Sequence, residues 1–294
     1  MNKKKQDLIN QVTIIGPGLI GASLGLALKK NKICKNIIGI DNSKKNLRDA
    51  IKIKSIDLGY HKIDNRITNT DVYFICTPVS QLNDVIEQLI PFLKKNSVIT
   101  DVGSVKNIFK KDLVSKVNEI GFLVPAHPIA GTEFSGAKNA HLNIFFNRWC
   151  VITPINQKIH GVRLIKSIWK NVGMMVATMS PEEHDKIMSI TSHLPHLIAF
   201  TIVGSALDYS KKEKKQLLNF SAGGFKDFTR IASSDPRMWR DIFLSNRKDI
   251  LKTLEGFIKN LNSFKDLIQY EKSSQIMDFI KKTKKIRKEI VKLK

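Results

Sequence analysis

The chain has 294 residues, 42% of them hydrophobic, enough for the cores of two medium domains and far from the composition of a disordered chain. Its three cysteines, Cys34, Cys76 and Cys150, are too few and too scattered for a disulfide framework or a zinc pattern, so no metal is expected and a reducing cytoplasm is. The net charge of +23 would favour an anionic ligand, but dispersed lysines and only 7% aromatic residues argue against a nucleic-acid or membrane surface.

In "VTIIGPGLIGASLGLALKK", Val12 to Ile15 reads as a strand, followed by a tight turn and a helix. The lysines before it imitate a signal peptide, but the glycine spacing gives another reading. Gly16, Gly18 and Gly21 form G-x-G-x-x-G: the first permits the turn, the second admits a pyrophosphate, the third lets helix and strand pack closely. Leu19 and Ile20 open that helix, whose exposed N–H groups would complete the phosphate site. The next strand, "NIIGID", ends at Asp41, placed to accept hydrogen bonds from a ribose 2′-hydroxyl and to repel a 2′-phosphate, which selects NAD over NADP.

Further strands are expected at 71–79, 97–106, 121–128 and 148–154, separated by helical stretches such as "SQLNDVIEQLIPFLKK". This alternation predicts a Rossmann-type doubly wound parallel sheet over residues 1–179. Ligands bind beyond the carboxyl ends of such strands. Thr77 and Pro78, Ser104 and His127 are all expected there, Thr77 and Pro78 against the cofactor. His127 precedes a proline, which holds it in an extended segment or turn, and should face the nicotinamide side of the crevice.

From Ser180 onward, residues 180–294 read as an all-α domain. Ser180 is a helix N-cap, Pro181 fills the first helical position, and Glu182 and Glu183 occupy the first turn. His193 and His196 share one helical face, and Pro195 between them should disturb the helix. No apolar run reaches the length of a membrane span; the best, "LPHLIAFTIVGSAL", is too short. "SAGGFKDFTRIASSDPRMWRDI" is dense in special residues, with Arg230 suited to bidentate carboxylate binding. Two apolar stripes at heptad spacing follow, Ile250, Leu254, Phe257, Leu261, Phe264 and Ile268, then Ile276, Phe279, Thr283, Ile286, Ile290 and Leu293, suited to helix–helix packing, either as a bundle within the chain or as a helical dimer interface. The basic tail reads as the solvated face of the last helix.

Taken together, "GPGLIGASLGLAL", "DVGSVK", "HPIAGTEFSG", "SHLPHLIA" and "GGFKDFTRIASSDPRMWRDI", in that order, resemble the prephenate dehydrogenase family of tyrosine biosynthesis over roughly residues 10–270. The resemblance implies NAD-dependent oxidative decarboxylation of prephenate to 4-hydroxyphenylpyruvate, CO2 and NADH by a homodimer. His127 would take the proton of the C4 hydroxyl and Ser104 would help position it. Arg230, His193, His196, Glu133 and Thr132 would bind the substrate. No chorismate mutase segment is expected before the glycine loop and no ACT domain after the second stripe. Arogenate, with an ammonium that Glu133 could pair with, is the nearest alternative substrate. A β-hydroxyacid dehydrogenase would need a catalytic lysine in the helical half, where histidines and arginine stand instead. A basic nucleic-acid scaffold is the remaining alternative.

Overall fold

The computed structural model describes residues 8–132, 134–155, 159–205, 209 and 211–292. These pack as two compact units that divide after Arg247. The first division of packing thus falls after Arg247 rather than at the change of texture near Ser180.

The first unit is built on a parallel sheet. Strands β1 (Ile9–Ile15), β2 (Cys34–Ile40), β3 (Leu58–Tyr60), β4 (Val72–Ile75), β5 (Val98–Asp101) and β6 (Phe122–Leu123) are ordered β3-β2-β1-β4-β5-β6. The central strands are buried without a break over Val12–Ile15, Val72–Ile75 and Val98–Asp101 because both faces are covered. Helices α1 (Leu19–Lys30), α2 (Lys44–Lys52), α3 (Leu82–Leu89) and α4 (Lys111–Ile120) form the crossovers. One core cluster joins Ile14, Leu24, Phe74 and Trp169, and another joins Tyr73, Ile75, Leu82 and Trp239. Chain order reverses between β1 and β4, which opens a crevice beyond their carboxyl ends, where Gly16 and Thr77 stand.

The expected strand at 121–128 is two strands. Val124 N–H still bonds the Ile99 carbonyl, but Pro125 has no N–H to extend the ladder. The chain turns there, and β7 (Ala126–Pro128) pairs antiparallel with β8 (Trp149–Ile152). With β9 (Met175–Thr178), parallel to β8, these make a second, three-stranded sheet, and α5 (Ile159–Asn171) lies between β8 and β9 in sequence. His127 therefore stands on the small sheet, not at the carboxyl end of a strand in the large one.

Helix α6 (Pro181–Met188) starts as expected, with the Ser180 side chain accepting the Glu183 N–H at 3.1 Å. Ahead of Pro195 the helix widens into one π-helical turn, Ser189–His193, before α7 (Leu194–Ser205). Residues Pro181–Ser205 together are long and apolar enough to cross a membrane by length and composition, contrary to the sequence expectation. They carry the polar side chains His184, Asp185 and His193, buried against this unit and costly to place in a membrane. Helices α8 (Lys211–Asn219), α9 (Gly223–Thr229) and α10 (Pro236–Ser245) complete it.

The second unit holds most of α11 (Arg247–Gln269) and all of the described part of α12 (Ser273–Lys292). The two expected stripes meet at Phe264 and Phe279, whose rings lie 5.1 Å apart. Leu261, Ile268, Phe279, Ile286 and Ile290 remain exposed on the chain. Leu293 lies outside the described residues.

Candidate active site

At the cofactor end, glycine is required twice for different reasons. Gly16 has φ +82°, and a Cβ there would lie 2.8 Å from the Cys76 carbonyl oxygen. Gly21 packs α1 onto β1, where a Cβ would lie 2.6 Å from the Gly16 carbonyl oxygen and 2.9 Å from Ile14 Cγ2. A Cβ on Gly18 would meet nothing within 4 Å, so this side of the turn is open. No side chain caps α1, which leaves the first-turn N–H groups of Leu19, Ile20 and Gly21 for a ligand. The geometry fits a pyrophosphate.

Asp41 follows β2 directly. Its carboxylate accepts the Ser43 N–H at 2.7 Å and the Asn46 side-chain amide at 3.1 Å, so the acid is already oriented at the start of α2. Thr77 and Pro78 follow β4, and Thr77 Oγ1 is buried with no hydrogen-bond partner. Such an orphaned hydroxyl at a crevice marks a place where a ligand atom can supply the missing bond.

His127 heads a buried chain of polar groups. Its Nδ1 lies 2.8 Å from His184 Nε2, and His184 Nδ1 lies 2.7 Å from Asp185 Oδ1. Asp185 also accepts the backbone N–H groups of Lys106 and Asn107, each at 2.8 Å. The Lys106 ammonium, fully buried, is paired with Asp101, whose other oxygen accepts the N–H of Ala126, next to His127, at 3.2 Å. Burial, then the neighbouring His184, Lys106 and His193, hold the His127 imidazole well below its ordinary range, so it is neutral at physiological pH. Burial likewise lowers His184, against the opposing pull of Asp185.

His193 continues this chain of groups. Its Nδ1 lies 3.1 Å from the Asn246 side-chain nitrogen, which also donates to the Asp185 carbonyl at 2.9 Å. The His193 Nε2 is buried with no hydrogen-bond partner. Trp239 bridges the two histidines of α7 and its preceding turn: its ring is 6.2 Å from His193 and stacks on His196 at 3.7 Å. The Arg230 guanidinium, exposed, lowers the half-buried His196 further after burial itself. His193, Trp239 and His196 thus stand side by side, and the Arg230 charge is felt at His196. Thr132 is exposed on the loop after β7, its Oγ1 accepting the Phe134 N–H at 3.2 Å. Glu133 lies outside the described residues.

The chain matches the family model for the nucleotide-binding domain of prephenate dehydrogenase over residues 24–178 and that for its dimerization domain over residues 180–291. It belongs to the prephenate dehydrogenase family. The chain is 34% identical to a prephenate dehydrogenase of Bacillus subtilis, across 98% of this chain and 76% of that protein. It is 32% identical to a cyclohexadienyl dehydrogenase of Zymomonas mobilis, across 95% of this chain and 96% of that protein. Among solved structures, a prephenate dehydrogenase from A. aeolicus, in complex with hydroxyphenyl propionate and NAD+, superposes with a TM-score of 0.88 at 36% identity, covering 98% of this chain and all of that one.

Against this family background, sequence reading singled out Trp239 within its dense segment but missed His184, Asp185, Lys106, Asp101 and Asn246 as parts of the site. Buried histidines also make a stability prediction. Burial pushes His193 from 6.5 down to about 4. Between those values the unfolded chain binds the proton and the fold does not, so stability is full above the upper value and is lost as pH falls. The loss from His193 alone should reach on the order of 3 kcal/mol at the lower end. Thermal melts across this window check the point; a melting temperature that holds steady on acidification would contradict it.

Proposed function

We propose that this chain is a prephenate dehydrogenase, converting prephenate and NAD+ to 4-hydroxyphenylpyruvate, CO2 and NADH in tyrosine biosynthesis. The observation that carries the reading is a neutral, buried imidazole, His127, hydrogen-bonded to His184 and backed by Asp185, in a chain of this family. Residues 1–179 would hold the cofactor and residues 180–294 the substrate and the dimer contact. The bounds of the two family matches support this division.

Bound NAD+ supplies the acceptor for the hydride that leaves C4. The open turn at Gly16, Gly18 and Gly21 and the amides of Leu19 and Ile20 would hold its pyrophosphate, with Thr77 and Pro78 lining the crevice nearby. Asp41 would meet the adenosine ribose. Replacing Asp41 by asparagine should weaken NAD+ and relieve discrimination against NADP+. Steady-state kinetics with both cofactors test this, and a wild-type protein with the higher kcat/KM for NADP+ would contradict it.

His127 takes the proton of the C4 hydroxyl as the carbonyl forms, and Ser104 holds that oxygen in place. Loss of the ring carboxylate as CO2 sends its electron pair into the ring, and the resulting phenolate recovers the proton. Arg230, with His193, His196, Thr132 and Glu133, orients a substrate that carries two carboxylates. The exposed stripes of α11 and α12 and the match to the family's dimerization domain support a homodimer built through these helices. Adding prephenate to protein and NAD+ should produce NADH fluorescence with release of CO2 in equal amount; silence in both channels would refute the reading.

A further inference from the structure

We propose that His184 and Asp185 form a proton relay behind His127, so that the positive charge created when the substrate hydroxyl is deprotonated comes to rest beside the Asp185 carboxylate rather than on His127. The inference rests on the assignment of His127 as the base.

Its first support is the direction of the hydrogen bonds. Both Asp185 oxygens accept backbone N–H groups, from Lys106 and from Asn107, so the carboxylate acts throughout as an acceptor. The Nδ1 of His184, 2.7 Å away, must therefore be its donor. A neutral His184 then has an unprotonated Nε2, and the contact of 2.8 Å with His127 Nδ1 is a bond that His127 donates. A neutral His127 donating from Nδ1 has its lone pair on Nε2. Two fixed acceptors, three bonds away from the chemistry, thus set the tautomer of the base.

Burial is the second support. His127, His184 and Asp185 are 7%, 0% and 2% exposed, so an imidazolium formed here receives little help from water. Lys106 and Asp101, which also face this cluster, are paired with each other, and His193 and Cys150 bring no negative charge. Asp185 is the anion in direct reach. When His127 Nε2 accepts the substrate proton, its Nδ1 proton can pass to His184 Nε2. The bond formed is N–H on His184, the bond broken is N–H on His127, and the product is a His184 imidazolium against a carboxylate. The return of the proton to the phenolate reverses both transfers, so the relay is restored within one turnover.

Anchoring is the third. Asp185 is held by the backbone of Lys106 and Asn107, which lie in the same loop as Ser104, and Asn246 binds the Asp185 carbonyl from the end of α10. Asp185 therefore ties His127, the Ser104 loop and the helical residues into one rigid assembly. His184 and Asp185 are positioning residues; neither needs to touch the substrate.

The test is Asp185→Asn: with its oxygen kept on the Asn107 N–H, its amide nitrogen would face His184 and donate to it, inverting the tautomer of both rings at the cost of the acceptor for the Lys106 N–H. kcat with prephenate should fall about 10- to 100-fold, as part of the general-base contribution. KM and NAD+ affinity should hold, and the acid limb of the kcat/KM profile should move to lower pH. Imidazole nitrogen NMR of the resting protein, without cofactor or substrate, should find His127 and His184 both protonated at Nδ1, and Asp185→Asn should change that. Adding Asp185→Asn to a protein already carrying His127→Asn should cost nothing more, because the residues act as a unit. His184→Gln supplies a second variant should Asp185→Asn fold poorly, with the same lack of additivity expected. An Nε2-protonated His127 in the resting wild type, or losses that multiply in the double variant, would overturn the relay. If His127→Asn itself turns over normally, it is the base assignment that fails; if it is crippled while Asp185→Asn is fully active with an unchanged pH profile, the relay alone fails.

Discussion

His127→Asn should lower kcat for prephenate by about 10²- to 10⁴-fold, the usual worth of a positioned general base. KM should change far less, because proton transfer is under way only in the transition state and contributes little to ground-state binding. Asparagine keeps a polar group of similar reach at Nδ1 yet has no basic lone pair to offer. The buried contact with His184 is thereby partly preserved, so folding should survive and the loss can be read as chemistry. Steady-state kinetics over a pH series are the check. Near-normal turnover with an unchanged pH profile would remove His127 from its role.

Arg230→Ala should act on binding. Prephenate carries two carboxylates, and a carboxylate taken from water without a partner is costly. Two parallel bonds from one guanidinium meet that need, and lysine cannot reproduce them. Removing them should raise KM by on the order of 10- to 100-fold or more, given about 1.5–3 kcal/mol for a hydrogen bond to a charged group. Arg230 is exposed, and its charge is felt at His196, which stacks on Trp239. NAD+ affinity and melting temperature should barely move. A fall in melting temperature accompanied by weakening of both ligands would instead assign Arg230 a structural role, and a fully active Arg230→Lys would refute bidentate binding.

The glycine turn was legible because its physics is local: Gly16 needs a positive φ and Gly21 a missing Cβ, and both needs are met within a few residues of each other. The central strands and the start of α6 were legible for the same reason, through apolar runs and the Ser180 cap. Pro125 was readable as a break in a central strand, yet the apolar residues around it masked that signal, and so the small sheet that carries His127 was missed. His184 and Asp185 gave no such clue. They sit side by side in an ordinary helix opening, and only the fold turns both inward and sets Lys106 and Asn107 against the carboxylate. Burial of a lysine such as Lys106 runs against its composition-based expectation, and its partner Asp101 is the last residue of a fully buried strand. Asp41 was legible as the acid at a strand end, but its bonds to Ser43 and Asn46 depend on the path of the chain into α2.

Substrate choice is where the proposed chemistry is most exposed. With NAD+ in excess, kcat/KM should be measured for prephenate and for arogenate side by side, with CO2 and NADH followed together. A clear preference for prephenate, with one CO2 released per NADH formed, is the result that prephenate dehydrogenase activity requires. A preference for arogenate, or NADH formed without decarboxylation, would contradict it.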